Sequence, residues 1–344
     1  MIGNEPELST AENYRRFGTY EVRGRSPLYG QLANSVADDP ELLAFLADLP
    51  REKRQPNLLL AAVRYVAGVQ PDYATFRAVV LDRRAEIADT MLARRTQTNE
   101  PARCATLLPA LASLPQPLAL LEVGASAGLC LLPDRYGYDY GTLRIGGQAG
   151  APVLACRCLG PVPLPSRPVD VAWRAGIDVN PLDVTEPDDV RWLSCLVWPG
   201  EGDRAERLAA AIDVARRDPP RLVRGDLNER LAETAAGAPK DATLVVFHSA
   251  VLAYLSREKR AEFARAVTAL DAVWLAQEDP GVLSGLPGFP DAPPAPQGPT
   301  PFLLTRDGQE ALAYADGHGT WIHWLAPVPI PLTSRDGTTG YVAR

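Results

Sequence analysis

The sequence predicts an α/β protein: a mostly parallel sheet with helices on both faces, a helical N-terminal region before it and a small β insertion within it. Three observations predict this. Before residue 117 apolar residues recur at helical spacing, and no alternating strand pattern is present. From Leu118 onward, short apolar runs alternate with amphipathic segments, the order that pairs strands in parallel and covers both sheet faces. At the junction stands Leu118-Ala119-Leu120-Leu121-Glu122-Val123-Gly124-Ala125-Ser126-Ala127-Gly128-Leu129, an apolar run ending in an acid and a small-residue turn.

The elements follow in order. Asp38-Asp39-Pro40-Glu41 ahead of Leu42, Phe45, Leu46 and Leu49 is a capped helix start with an apolar face. Residues 57–66 are apolar enough for a buried helix, and 73–95 keep helical spacing with Asp82, Arg83, Arg84 and Glu86 on the outer face. Residues 118–123 are the first strand and 125–136 the helix after it, bent or shortened by Pro133. Short strands and turns at about 138–172 form the β insertion. A strand ends at Asp178, Thr185-Glu186-Pro187-Asp188 starts a helix of capping-box type, and 204–217 are a second amphipathic helix. Further strands end at Asp226, His248 and Glu278, with helices over 227–236 and 256–270. Residues 280–301, rich in Pro and Gly, have little capacity for regular structure, and 302–305 and 321–325 are closing antiparallel strands.

With 344 residues, 46% of them hydrophobic, the chain suffices for one large domain or two modest ones, divided here into a helical region 1–115 and a sheet domain 116–344. The net charge of −7, without any Lys/Arg block, argues against a nucleic-acid partner and for a small molecule. No apolar run reaches the roughly 18 residues of a membrane span. The polar, acidic start lacks the pattern of a signal peptide. The five cysteines (104, 130, 156, 158, 195) show no CxxC spacing. They read as reduced thiols rather than metal ligands, and the expected location is cytoplasmic. Nothing in the sequence sets an oligomeric state.

In a parallel sheet, ligands collect beyond the carboxyl ends of the strands. The residues there are Glu122 to Gly128, Asp178, Asp226, His248 and Glu278. Gly124 lets the backbone turn without a Cβ clash and Gly128 lets a ligand or strand approach closely. Glu122 is placed to accept from an amine or hydroxyl. The combination suits a nucleoside-type cofactor.

Taken in order, Glu122-Val123-Gly124-Ala125-Ser126-Ala127-Gly128, Gly176-Ile177-Asp178-Val179-Asn180-Pro181, Gly225-Asp226 and the strand ending in Phe247-His248-Ser249 resemble the class I S-adenosylmethionine-dependent methyltransferases. Over nearly its whole length the chain is also similar to an uncharacterised bacterial family known only as a domain of unknown function. The first resemblance implies a Rossmann-like methyltransferase sheet, S-adenosyl-L-methionine as cofactor and a small-molecule methyl acceptor. It implies that the turn Gly124 to Gly128, with Ala125 and Ser126, faces the methionine part, and that Glu122 is a further cofactor contact. Asp178 would hold the ribose hydroxyls, Asp226 would lie near the adenine amino group, and His248 and Ser249 would line the pocket. His248 is the candidate catalytic base, and Tyr254 and Glu278 are candidate substrate contacts.

Each residue has a plainer reading beside that one. Asp178 suits an Asx turn before Pro181, and Asp226 a helix cap. His248 suits a satisfied strand residue, Glu278 a partner of loop backbone, and Trp192 and Trp198 the core. Two rival functions remain. Gly124-Ala125-Ser126-Ala127-Gly128 also fits the G-x-S-x-G elbow of α/β-hydrolases, with Ser126 as nucleophile, His318 or His323 as base and Asp279 or Asp316 orienting it. That elbow normally follows several strands, whereas the preceding hundred or so residues here read as helical. The third possibility is a non-catalytic binding protein on the same sheet. Under the cofactor reading, Gly124→Val abolishes binding and leaves the fold largely intact.

Overall fold

The computed structural model describes residues 8–286, 289, 293–296 and 301–327, and the backbone of 330–333 and 339–342. The chain opens with α1 (Thr10–Arg16), α2 (Pro27–Ala37), α3 (Pro40–Ala47), α4 (Pro56–Ala67), α5 (Tyr73–Asp82), α6 (Arg84–Ala93) and α7 (Arg103–Ala112). Proline opens α2, α3 and α4, where its missing N–H leaves no bond unmade. Ser9, Ser26, Asp39 and Asp72 accept first-turn N–H groups as caps of α1, α2, α3 and α5. The predicted helix over 73–95 is two helices. Arg83 leaves helical geometry (φ −112°, ψ 30°), and its guanidinium is tied to the Val66 carbonyl and to Glu86.

Strand β1 (Leu118–Val123) follows, then β2 (Gly137–Asp139), β3 (Arg144–Gly146), β4 (Val153–Ala155), β5 (Arg157–Cys158) and β6 (Val171–Asp178). Next come α8 (Pro187–Cys195), α9 (Gly202–Arg217), β7 (Arg221–Arg224), α10 (Leu227–Ala235), β8 (Thr243–Ser249), α11 (Arg257–Thr268), β9 (Val273–Glu278) and α12 (Pro280–Leu283). The chain closes with β10 (Phe302–Arg306), β11 (Glu310–Ala315), β12 (Trp321–Trp324), β13 (Ile330–Thr333) and β14 (Thr339–Val342).

Two compact units divide the chain: residues to Thr98 with Thr185–Glu206, and Asn99–Val184 with Arg207 onward. A single cut at 115 therefore does not describe it. Helix α7 belongs to the sheet unit and α8 to the helical unit, because a helix's own periodicity shows that it has an apolar face but not which partner covers it.

The sheet unit is α/β. Its main sheet has nine strands in the order β5-β12-β11-β10-β9-β8-β1-β6-β7. Five of the eight neighbouring pairs are parallel (β1 with β6 and β8, β6 with β7, β8 with β9, β12 with β5), and β9 to β12 are joined antiparallel. On one face Leu121, Val123, Ile177, Val246 and Ala276 pack with Leu231 of α10 and with Phe263 and Val267 of α11. On the other face lies α7, whose Thr106 hydroxyl meets the Gln277 side chain at 3.1 Å. The mostly parallel, helix-covered sheet is consistent with a Rossmann-like architecture.

Strands β2, β3 and β4 form a separate three-stranded sheet within the predicted insertion, while β5 joins the main sheet beside β12. Three expectations require correction. Residues 125–136 hold only a single 3-10 turn, Leu129–Leu131, because Gly128 is left-handed (φ 72°) and the Leu129 N–H donates to Asn99 instead of continuing a helix. Helix α8 takes Glu186 rather than Thr185 as its N-cap, and the Glu186 side chain makes no cap bond, so the expected capping-box register is shifted by one residue. Strand β11 was not expected. Asp307 (φ 54°) and Gly308 (φ 64°) turn the chain from β10 into it, the left-handed pair that a tight hairpin demands.

Candidate functional site

The strand order reverses between β1 and β8, and in open α/β sheets such a reversal opens a crevice at the carboxyl edge. Three side chains stand there on one face. Glu122 of β1 lies beside Phe247 of β8, Ser249 is two residues further along that strand, and Ser249 pairs with Gln277 of β9. Alternation along a strand puts all three on the α7 side. Glu122 is 4% exposed and Gln277 fully buried, yet Glu122 Oε2, Ser249 Oγ and Gln277 Nε2 have no hydrogen-bond partner. Burying such a group unpaired costs about 1–3 kcal/mol. Native folds keep few of them, so three on adjacent strands, within about 12 Å at the usual strand spacing and rise, mark a place suited to a ligand.

The charges around this face are specific. Burial pushes the Glu122 carboxyl well above the usual carboxylate range, the Cys130 thiol and Asp178 act in the same sense, and Arg103 opposes them. Arg103, buried at the start of α7, donates from Nη1 to the Ser249 carbonyl (3.2 Å) and from Nε to the Gly317 carbonyl (2.9 Å), with its guanidinium over the Phe302 ring.

The glycine turn is knitted into the protein. The N–H groups of Gly124 and Ala125 donate to the Ile177 carbonyl, that of Ser126 to Asp178 Oδ2 (2.8 Å) and that of Gly128 to the Ala125 carbonyl. Gly124 and Gly128 both have φ 72°. A Cβ on Gly124 would stand 2.3 Å from Val251 Cγ2, one on Gly128 2.6 Å from Pro220 Cγ, and one on Gly176 of β6 2.5 Å from Ala125 Cβ. These glycines thus admit protein neighbours. Gly124→Val would disturb the packing of β1 against the segment after β8, so the expectation of an intact fold does not hold.

Asp178 completes an Asx turn, its Oδ1 accepting from the Asn180 N–H (2.8 Å) while Oδ2 holds the glycine turn. Asp226 caps α10 through the Asn228 N–H (2.9 Å) and pairs with Lys259 (2.9 Å), and that pairing holds its carboxyl below the usual range. Glu122, Asp178 and Asp226 follow or end the adjacent strands β1, β6 and β7 at the same edge.

His248 and Glu278 face the opposite side of the sheet from Glu122. The Trp274 indole donates to His248 Nε2 (3.0 Å), and His248 Nδ1 donates to Glu278 Oε1 (2.8 Å). The same oxygen accepts the Val251 and Leu252 N–H groups at 2.7 and 3.0 Å. His248 is fully buried and both its nitrogens are committed, so it is not placed to take a substrate proton; this corrects its assignment as catalytic base. Glu278, 1% exposed, bonds loop backbone rather than substrate. Tyr254 is 65% exposed. Trp192 and Trp198 are core residues.

Of the hydrolase constellation, His323, Asp279 and Asp316 are engaged elsewhere. Ser126 has the positive φ (52°) of an elbow but is 3% exposed. His323, on β12, is five strands from β1 and bonds the Leu159 carbonyl. Asp279 caps α12, and Asp316 accepts from His318 N, Thr320 N and Thr320 Oγ1 within its own turn. Among the described residues no group of three or more His, Cys, Asp or Glu side chains could hold a metal ion, and no helix is long and apolar enough to cross a membrane.

Sequence reasoning missed Gln277, Arg103 and Thr106. Gln277 carried a usable signal, directly preceding Glu278 at a strand end; Arg103 and Thr106 lie in a helix assigned to the wrong unit. Searches among curated proteins and among solved structures gave no match. A family model does match, over residues 11–324, and the chain belongs to that family, described as "Uncharacterized protein conserved in bacteria (DUF2332)".

Proposed function

We propose that the chain binds a polar nucleoside-type ligand at the carboxyl edge of β1, β8 and β9, with S-adenosyl-L-methionine as that ligand and methyl transfer to a small-molecule acceptor, in the cytoplasm, as the function. The observation that carries it is the row of unpartnered buried groups, Glu122 Oε2, Ser249 Oγ and Gln277 Nε2, beside the reversal of strand order. These residues would hold the cofactor's polar groups. Asp178 and Asp226 stand at the next strand ends, the places the methyltransferase resemblance gives to ribose and adenine contacts. The bound cofactor supplies an electrophilic sulfonium methyl, and the protein's part is to orient an acceptor in line with it. No proton transfer is asked of His248.

Calorimetric titration with S-adenosylmethionine and S-adenosylhomocysteine tests this. Binding below about 1 mM, weakened by Ser249→Ala and Gln277→Ala, is expected; a folded chain that binds neither compound overturns it. The inward commitment of the glycine turn favours a second reading, a binding protein without turnover. Binding without S-adenosylhomocysteine release in the presence of candidate acceptors would select it.

A further inference from the structure

At the reversal of strand order between β1 and β8, where a crevice is expected, Val251 stands against the Gly124 turn. Its methyl groups fill the space above Gly124, where a Cβ would come within 2.3 Å of one and 3.1 Å of the other. Val251 is delivered by Ala250, a non-glycine residue at φ 59°, whose N–H donates to the Gln277 carbonyl at 3.1 Å. L-residues adopt that conformation only when their surroundings impose it. Here the imposing group is Glu278, whose Oε1 takes the N–H groups of Val251 and Leu252. Glu278 is itself aimed by His248, and His248 by Trp274. An indole N–H only donates, so it demands an unprotonated Nε2 and places the ring hydrogen on Nδ1, toward Glu278. All three side chains are buried.

We propose that Val251 selects which ligands enter the crevice between β1 and β8, and that Trp274, His248 and Glu278 are positioning residues that hold Val251 in place. The selecting role rests on the carboxyl edge being the ligand site; the positioning chain does not. Accordingly the test on the full chain has two arms. In amide hydrogen exchange, Glu278→Ala speeds exchange at Val251 and Leu252 by at least about tenfold relative to β1 and β6, and Glu278→Gln, which keeps a carbonyl acceptor, recovers much of it. In nitrogen-15 NMR, the wild-type His248 ring shows the Nδ1–H tautomer, and Trp274→Phe, which keeps an aromatic ring but removes the donor, shifts the resonance of Nε2, the nitrogen that loses its hydrogen bond. Acceleration spread evenly over the sheet, or a ring signature unmoved by Trp274→Phe, overturns the positioning chain. Should Glu278→Ala fail to fold, the Trp274→Phe signature decides alone. In the ligand arm, Val251→Ala changes the dissociation constant for S-adenosylhomocysteine by at least about tenfold, while Val153→Ala on the exposed insertion leaves it alone. An unchanged constant overturns the selecting role. No binding by the wild type overturns the site reading and the selecting role together, with the exchange and NMR results still judging the positioning chain.

Discussion

In the helical unit, Asp39 is ringed by donors: the N–H groups of Glu41 and Leu42 on one oxygen, the Tyr73 hydroxyl and Arg77 Nε on the other, all at 2.7–3.1 Å. At the carboxyl edge of the sheet, Glu122 is at least as buried and has an oxygen with no partner. The contrast extends beyond the pair. Arg94 is clamped between Asp188 and Asp189 against the Tyr65 and Trp192 rings. By contrast, the described buried side-chain atoms with neither a hydrogen-bond nor an ion-pair partner, on Glu122, Asn228, Ser249, Gln277 and Trp324, all belong to the sheet unit. Polar residues buried in the first unit serve its own fold. Those on the α7 face of the second are arranged as if the fold were not their only partner.

The largest effect should come from Gly124→Val. A left-handed backbone and a steric conflict with Val251 act together, and a loss of at least about 3 kcal/mol is expected. Denaturant unfolding measures it, and Val251→Ala in the same chain should restore part. An unchanged midpoint would mean that the segment after β8 yields freely. Next in size is Asp39→Ala, at about 2 kcal/mol for a cap with two further bonds. Burial raises the Asp39 pKa, but bonds from Tyr73, Arg77, Leu42 and Glu41 outweigh it and hold it at about 2, against 3.8 ordinarily. A lowered folded pKa means stability present above pH 3.8 and lost as pH falls toward 2, so mutant and wild-type unfolding curves should converge over that window. A gap as wide at pH 2 as at pH 7 would show that the carboxylate's bonds are not its source.

Local physics made much of the sheet legible. Strand β1 matches the predicted 118–123 because an unbroken apolar run beside a small-residue turn suits a strand covered on both faces. The caps at Asp39 and Asp226 could be read because they depend on residues two or three positions away. What could not be read depends on distant partners. Whether Gly124 faces a ligand or Val251 is set by a residue more than a hundred positions along the chain. The commitment of His248 depends on Trp274 and Glu278, both on another strand. The Asp-Gly at 307–308 is a local hairpin-turn signal, legible in the sequence just after the Pro-rich stretch. Sequence thus located the edge at which Glu122, Ser249 and Gln277 collect, and long-range packing decided which groups there keep an open valence.

The smallest expected effect is also the one that separates the two regions most directly. Burial raises the Glu122 pKa well above its ordinary 4.5, with Cys130 and Asp178 adding and Arg103 opposing. The sign is opposite to that of Asp39. Below pH 4.5 both folded and unfolded chains hold the proton and the raised pKa costs nothing. As pH rises past that point the unfolded chain ionises while the folded one resists, so stability falls until the folded pKa is reached. Glu122→Gln keeps the size and removes the ionisation. It should flatten stability against pH above 4.5 and leave the variant more stable than wild type at pH 8. If the edge binds S-adenosylhomocysteine through the Glu122 carboxyl, the same variant binds it more weakly, so stability and affinity move in opposite directions. An Asp39 variant cannot show that pattern, since its carboxylate is satisfied by its own unit. Lower stability of Glu122→Gln than wild type at pH 8 would place Glu122 with the self-satisfied groups and erase the distinction.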